Sequence, residues 1–310
     1  MSYSQLAFTT PPDAPGWQRW LVFSPLARLV FFTALVWLFI VIGDRLIGWS
    51  GWYAPHAPAL RRAVCEVVYR ALPALFAYLL LTRLIEQRRA DELALRRLPA
   101  YLIAGIVGGA LLFSAVYGVL WLLGSYQIIG TNPHADWLPA LLTAGVGAGV
   151  GEEIITRGAL FRIVEEGLGT WWALAISAIF FGGAHMFNPD VTLWSIAAIG
   201  IEAGLMFGML YHVTRSLWPC IGLHLAWNFT QGTVFGVAVS GTRPDGWLVS
   251  AHSGPDWLSG GTFGAEASVI ALLACSLLTA SLLVIALRRG SIVPPFWRRH
   301  RRDQVALAQR

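Results

Sequence analysis

Six ionisable or amide side chains stand inside apolar stretches of this chain, where such groups are costly. They fall in three separate stretches: Glu152, Glu153 and Arg157, then His185, then His224 and Asn228. A charged residue in a membrane span costs at least about 2.5 kcal/mol on insertion scales, so its presence suggests a function. A carboxylate beside a histidine can take a proton from water, and fixed donors can stabilise an oxyanion. The set therefore predicts a hydrolytic site.

Helical spacing assigns different partners to these groups. The adjacent carboxylates of Glu152 and Glu153 point about 100° apart on a helix, so they cannot share one role. Glu153 and Arg157 are four residues apart and can form an ion pair, which leaves Glu152 free to face something else. His224 and Asn228 share a helix face by the same spacing.

The composition indicates which elements must position these groups. The 310 residues are 56% hydrophobic and only 13% charged, which disfavours a soluble enzyme, a disordered regulator and a nucleic-acid-binding protein. A membrane-spanning helix needs about 20 mostly apolar residues. Eight stretches are candidates: about 26–43, 64–82, 100–123, 138–162, 171–187, 191–212, 216–236 and 266–287. The predicted fold class is all-α, a polytopic membrane helix bundle with a catalytic pocket within the bilayer.

The positive charge predicts an orientation. The net charge is +5, and every basic residue is Arg. The Arg residues concentrate after the second, sixth and eighth apolar stretches, and cytoplasmic loops carry such an excess. We therefore expect a multi-pass protein of the cell membrane with both termini in the cytoplasm, and a polar cavity that opens towards the cytoplasm. The absence of Lys suggests a bacterial genome of high GC content, hence a bacterial plasma (inner) membrane.

The chain divides into three predicted parts. Residues 1–137 carry the first three membrane helices, and 138–236 carry the catalytic core. Residues 237–310 comprise an extracytoplasmic loop, the last helix and a basic cytoplasmic tail. We expect the loop 237–265 to be a lid or a passive connector. Glu202 is expected to make a hydrogen bond across helices or to contact substrate, and Glu266, at a helix end, to be solvated.

The ordered motifs resemble those of a known family. Glu152-Glu153-xxx-Arg157, Phe181-xxx-His185 and His224-xxx-Asn228 are similar to the EExxxR, FxxxH and HxxxN patterns of the CPBP intramembrane proteases. That family includes the type II CAAX prenyl endopeptidases and proteins related to bacteriocin processing, immunity and lysostaphin resistance. The resemblance covers about residues 138–236 and implies hydrolysis of a peptide bond in a membrane-associated peptide or protein.

The resemblance also implies residue roles. Glu152 would be the general base, and His185 would help to orient and activate the water. His224 and Asn228 would stabilise the oxyanion, and Arg157 would hold Glu153.

Three alternatives stay open. Glu152, His185 and His224 could bind Zn²⁺ and leave a position for water. Because the chain has no HExxH sequence, we favour a metal-independent glutamic protease without a cofactor. A non-catalytic scaffold or immunity factor on the same fold is the second alternative. A transporter is the third, since buried Glu and His also build proton relays. The lipid bilayer is an expected partner, and nucleic acid is not.

Overall fold

The computed structural model describes residues 6–54 and 56–299, which form a helical bundle. After a short helix at Gly16–Leu21, eight helical segments follow the eight predicted apolar stretches. They are α1 (Pro25–Ser50), α2 (Ala59–Ile85), α3 (Leu98–Leu122), α4 (Trp137–Leu168), α5 (Thr170–Ala184), α6 (Leu193–Thr214), α7 (Trp218–Phe229, continued by the π-helical turns Thr230–Val234) and α8 (Val269–Arg288). The last residues of the predicted basic tail, 300–310, lie outside the described residues.

The fold class is confirmed, but the number of spans is not. Within the described residues, six helices are long and apolar enough to cross a membrane. The other two, α5 with 15 residues and α7, are shorter than the usual membrane-spanning length. The fifth stretch was predicted to be helical to residue 187, whereas α5 ends at Ala184.

The eight segments alternate in direction, so the bundle has two distinct ends. One end, which we call the Arg-rich end, contains the starts of α1, α3, α5 and α7 and the ends of the other four. Its arginines include Arg28, Arg83, Arg88, Arg89, Arg96, Arg97, Arg162, Arg215, Arg288, Arg289 and Arg299. Both described ends of the chain also lie here: Leu6 lines a pocket with Arg88 and Arg215, and Thr170 accepts a hydrogen bond from the backbone of Val293.

Buried ion pairs join three helices at the Arg-rich end. Arg28 of α1 donates to Glu86, which follows α2, at 2.8 Å and to Glu166 of α4 at 2.7 Å. Arg162 contacts the same two carboxylates at 2.9 and 3.0 Å, and Arg88 contacts Glu86 at 2.7 Å. We call these five residues the ionic cluster. Because each buried charge has an opposite partner, the cluster fixes how α1, α2 and α4 meet.

Glycines bring α3 and α7 into close contact. A Cβ atom added at Gly105 would lie 2.4 Å from the carbonyl oxygen of Pro219, and one at Gly109 would lie 2.4 Å from that of Leu223. Gly222 faces the backbone of α3 just as closely. Small residues allow helix backbones to approach in a membrane, where close packing drives association.

A small antiparallel sheet lies at the other end of the bundle. β1 (Tyr126–Thr131), after α3, pairs with β2 (Leu248–His252), between α7 and α8, with an irregular register between residues 128 and 130. Asp245 reinforces the pairing, since it accepts hydrogen bonds from the side chain of Asn132 and the backbone of Asp136.

Candidate active site

The middle of α4 carries the paired carboxylates. Glu152 and Glu153 end an α-helical turn, Ala148–Glu153, that lies between two π-helical stretches, Leu141–Gly147 and Ile154–Phe161. Widened turns of this kind are frequent at functional sites. Glu152 is partly exposed and makes no hydrogen bond to another described residue, whereas Glu153 is fully buried. The two carboxylates therefore lie in different surroundings, as their spacing predicts.

Glu153 links two of the three motifs. Its Oε1 accepts a hydrogen bond from Arg157 at 3.0 Å, which is the expected i,i+4 ion pair. The same oxygen lies 2.9 Å from Nδ1 of His224 on α7. A carboxylate at Nδ1 keeps the proton on that nitrogen and leaves Nε2 as the ring nitrogen available to a substrate.

Arg157 is as deeply buried as Glu153. It is completely buried, and its second terminal nitrogen donates to the carbonyl oxygen of Ala203 in α6 at 2.8 Å. The guanidinium lies over two aromatic rings, 4.5 Å from the centroid of Phe181 and 5.0 Å from that of Phe207. The charge is thus held by a carboxylate, a carbonyl and two ring faces, which joins α4 to α5 and α6.

His185 lies immediately after the last residue of α5. Its Nδ1 is 2.8 Å from the carbonyl oxygen of Phe181, so Nδ1 donates this hydrogen bond and Nε2 is the ring nitrogen outside it. The Phe181 and His185 ring centroids are 5.0 Å apart. Phe181 therefore supports the histidine with both its backbone and its ring, in addition to its contact with Arg157.

Asn228 follows His224 by one turn of α7. Its side-chain nitrogen donates to the carbonyl oxygen of Ala144 in α4 at 2.8 Å. One amide hydrogen is used in this bond, and the second is left to donate elsewhere. Phe207 stacks on the His224 ring with centroids 5.4 Å apart, which fixes the plane of the imidazole.

One cavity of about 780 Å³ connects these groups. Glu152, His185, His224 and Asn228 all line it, although they come from three helices. Glu153 and Arg157 are not part of its wall; they lie behind His224 and hold it. The six motif residues therefore divide into four that face the cavity and two that support them.

The cavity does not open where we expected. Its outer wall is formed by Ala59 at the start of α2, Asp136 before α4, and residues 242–245 after α7. All of these lie at the end of the bundle opposite the Arg-rich end. The expectation that the cavity opens on the side of the arginines is therefore wrong, because the residues at its outer edge belong to helix starts and connections at the opposite end.

Two acidic residues near the site, Glu266 and Glu202, are buried, and the solvation expected for Glu266 is wrong. Glu266, predicted to be solvated, is only 4% exposed and accepts hydrogen bonds from the backbone and hydroxyl of Ser240 at 2.7 Å. Glu202 is also buried. Glu202, Glu266 and His185 line a small cavity of about 30 Å³ beside the main one. Burial raises the pKa of Glu266, and the hydrogen bonds from Ser240 oppose this shift.

The wall of the main cavity also includes part of the loop predicted as a lid or connector. Residues 239, 240 and 242–245 line it, and Asn188 donates to the carbonyl oxygen of Ser240 at 3.1 Å. A Gly- and Ser-rich loop sequence does not predict this contact, because the contact depends on how α5, α7 and α8 pack together.

The zinc alternative requires three donors that converge on one point. Among residues 6–54 and 56–299, no group of three His, Cys, Asp or Glu side chains is placed to hold a metal ion. Glu152, His185 and His224 share the cavity, but as arranged they do not fit Zn²⁺, whose ligands lie about 2.0–2.2 Å from the metal. Metal independence stays a prediction, and no step below uses a metal.

The fold and the site together define a polytopic helical membrane protein with a cavity lined by carboxylate, imidazole and amide groups. Residues 134–230 match the family model described as type II CAAX prenyl endopeptidase Rce1-like. The match confirms the resemblance to the CPBP and CAAX-protease family over this segment, which contains all six motif residues. No curated protein matches the chain.

Proposed function

We propose that this protein is an intramembrane endopeptidase that hydrolyses a peptide bond of a membrane-associated protein or peptide, with Glu152 as the general base. The family match implies CAAX-type endopeptidase activity. The observation that carries the finer assignment is the shared cavity, which brings Glu152, His185, His224 and Asn228 together from three helices.

Glu152 suits the role of base because its carboxylate lines the cavity and makes no hydrogen bond to another residue that the structure describes. It takes a proton from a water molecule as the water oxygen attacks the peptide carbonyl carbon. His185 orients that water through Nε2, since its Nδ1 is held by the backbone of Phe181. When the C–N bond breaks, Glu152 returns the proton to the leaving amine, so the carboxylate ends in its starting state.

His224 and Asn228 supply donors for the oxyanion. In the proposed mechanism the His224 imidazole carries a proton on both nitrogens, so Nδ1–H donates to the Glu153 carboxylate and Nε2–H donates to the developing negative charge. The second amide hydrogen of Asn228 is a neutral donor one helical turn away. Arg157 is a positioning residue in this mechanism, because it contacts Glu153 and the supporting rings but does not face the cavity.

The test is cleavage of a quenched peptide library by the purified protein in liposomes. Glu152→Gln and His185→Ala should each lower the cleavage rate by about 10²–10⁴-fold, which is the usual contribution of a general acid or base. Asp44→Asn, an exposed change on α1, is the matched control and should retain wild-type activity. Thermal unfolding of each variant verifies that it folds.

Two further outcomes decide between the alternatives. Activity that survives a chelator supports the glutamate-and-water mechanism, whereas loss on chelation with recovery in Zn²⁺ would establish the metalloprotease. A folded wild-type protein that cleaves none of the peptides, soluble or membrane-anchored, would contradict the proposed activity and favour a non-catalytic membrane protein or a transporter.

A further inference from the structure

The cavity has a second opening on the side of the bundle. Helices α4 and α5 pack against one another mainly through residues 154–168 of α4, near the Arg-rich end. Beyond that region they diverge. Phe180 and Ala184 of α5 line the cavity although both are exposed on the bundle surface, Phe180 at 44%. A side chain that is exposed on a membrane bundle and also lines an internal cavity marks a gap between helices.

The surface beside this gap is apolar. Phe187 and Leu193, in and after the turn that follows α5, are 88% and 87% exposed, and Met186 is 51% exposed. Exposed apolar groups of this size are suited to contact with lipid chains or with an apolar peptide. The gap therefore connects the polar cavity with the hydrocarbon part of the bilayer rather than with water alone.

The charge of the two ends determines which half of the bilayer the gap faces. The Arg-rich end contains the ionic cluster and further arginines at or after the ends of α2, α6 and α8, whereas the other end has Arg45, Arg61, Arg62 and Arg243. Such an excess places the Arg-rich end in the cytoplasm. The mouth and the side gap then lie in the extracytoplasmic half.

We propose that the substrate is a membrane-anchored peptide that enters sideways between α4 and α5 from the extracytoplasmic half of the bilayer. Its scissile bond lies on the extracytoplasmic side of its anchor, and the anchor stays in lipid beside Phe180 and Phe187. A tail on the cytoplasmic side would instead meet the end closed by the ionic cluster. This inference rests on the proposed function for cleavage, but the direction of access is independent of it.

The first experiment measures sidedness without using activity. The native cysteines Cys65, Cys220 and Cys275 are buried, so the wild-type chain provides the background. Thr242→Cys, at the cavity mouth, and Arg96→Cys, at the Arg-rich end, are both exposed positions. In intact spheroplasts a membrane-impermeant maleimide should label Thr242→Cys, and should label Arg96→Cys only after permeabilisation. The reverse pattern would overturn the proposal.

The second experiment blocks the gap. Ala184→Trp places a large ring in it, and Ile179→Trp adds the same ring to the same helix at a site that is 76% exposed and does not line the cavity. Ala184→Trp should lower the cleavage rate of a membrane-anchored substrate roughly 10- to 100-fold, which corresponds to about 1.4–2.7 kcal/mol. A short soluble peptide, which can use the end mouth, should be cleaved by Ile179→Trp at near the wild-type rate, and Ala184→Trp should lose less activity on this peptide than on the anchored substrate.

The outcomes of the second experiment separate the two proposals. Equal activity of Ala184→Trp and wild type on the anchored substrate would overturn entry through the gap while leaving the protease intact. Preferential cleavage of a test protein whose cleavable sequence lies on the cytoplasmic side of its anchor would also overturn it. If the wild type cleaves neither substrate, the proposed function fails, and the labelling result still decides which side the cavity faces.

Discussion

Replacing Arg157 by alanine should destabilise the protein more than any exposed arginine substitution. The change removes the ion pair with Glu153, the hydrogen bond to the carbonyl of Ala203 and the contacts with two aromatic rings. It also leaves a fully buried carboxylate with His224 as its remaining described partner. Breaking a buried ion pair by removing one partner costs about 3–5 kcal/mol, and we expect a loss in that range.

The measurement is denaturant unfolding of the purified protein in mixed micelles. Arg62→Ala, which removes an exposed guanidinium from α2, is the matched control and should stay within about 0.5 kcal/mol of wild type. The double variant with Arg157→Ala and Glu153→Gln should be more stable than Arg157→Ala alone, because the uncompensated charge is gone, with a coupling energy of about 0.5–3 kcal/mol. A free energy of unfolding for Arg157→Ala within the range of the control would refute this reasoning.

Two further predictions concern the scaffold. Gly109→Ala should lower the free energy of unfolding by about 1–3 kcal/mol, because the new methyl group would meet the carbonyl oxygen of Leu223. The control, Gly108→Ala, has open space at the neighbouring position and should be tolerated. Equal stabilities of the two variants would contradict close packing of α3 and α7. Burial favours a higher pKa for Glu86, but guanidinium groups, among them Arg28, outweigh it and hold the pKa below its ordinary 4.5. The stabilisation by the ionised Glu86 is therefore complete above pH 4.5 and is lost as the pH falls through the lower pKa of the folded state. The free energy of unfolding of the wild type should fall more steeply in acid than that of Glu86→Gln. Parallel curves of unfolding free energy against pH would argue against the lowered pKa.

The fold was largely predictable because a bilayer imposes a simple rule on sequence. Each apolar stretch contains one helical segment, since lipid leaves the backbone few other ways to satisfy its hydrogen bonds. The local ion pair of Glu153 with Arg157 was also predictable, because it needs only the spacing within one helix. The ends of helices were less certain: α5 stops before His185, although the sequence stays apolar through Phe187.

What the sequence did not reveal depends on contacts between distant elements. The bond between Glu153 and His224 requires the register of α4 against α7, and nothing in either segment specifies it. Glu266 lies at the start of a helix, where solvation is the usual expectation, yet the loop containing Ser240 covers it. The prediction of the end at which the cavity opens was wrong for a similar reason. Counting residues gave the depth of each motif but not the end towards which the helices separate.

The sheet of β1 and β2 gives the two sides of the cavity unequal stiffness. It ties together the connections that follow α3 and α7, and these two helices are already locked by the contacts at Gly105 and Gly109. Because the paired strands hold these connections together by backbone hydrogen bonds, we expect the α3 and α7 side of the cavity to be the more rigid one. In the proposed protease, space for a bulky substrate residue is then expected from movement of α5, which has no strand pairing to α7 among the described residues. We therefore expect the cavity to accept large substrate side chains at positions that face α5 and to exclude them at positions that face α7.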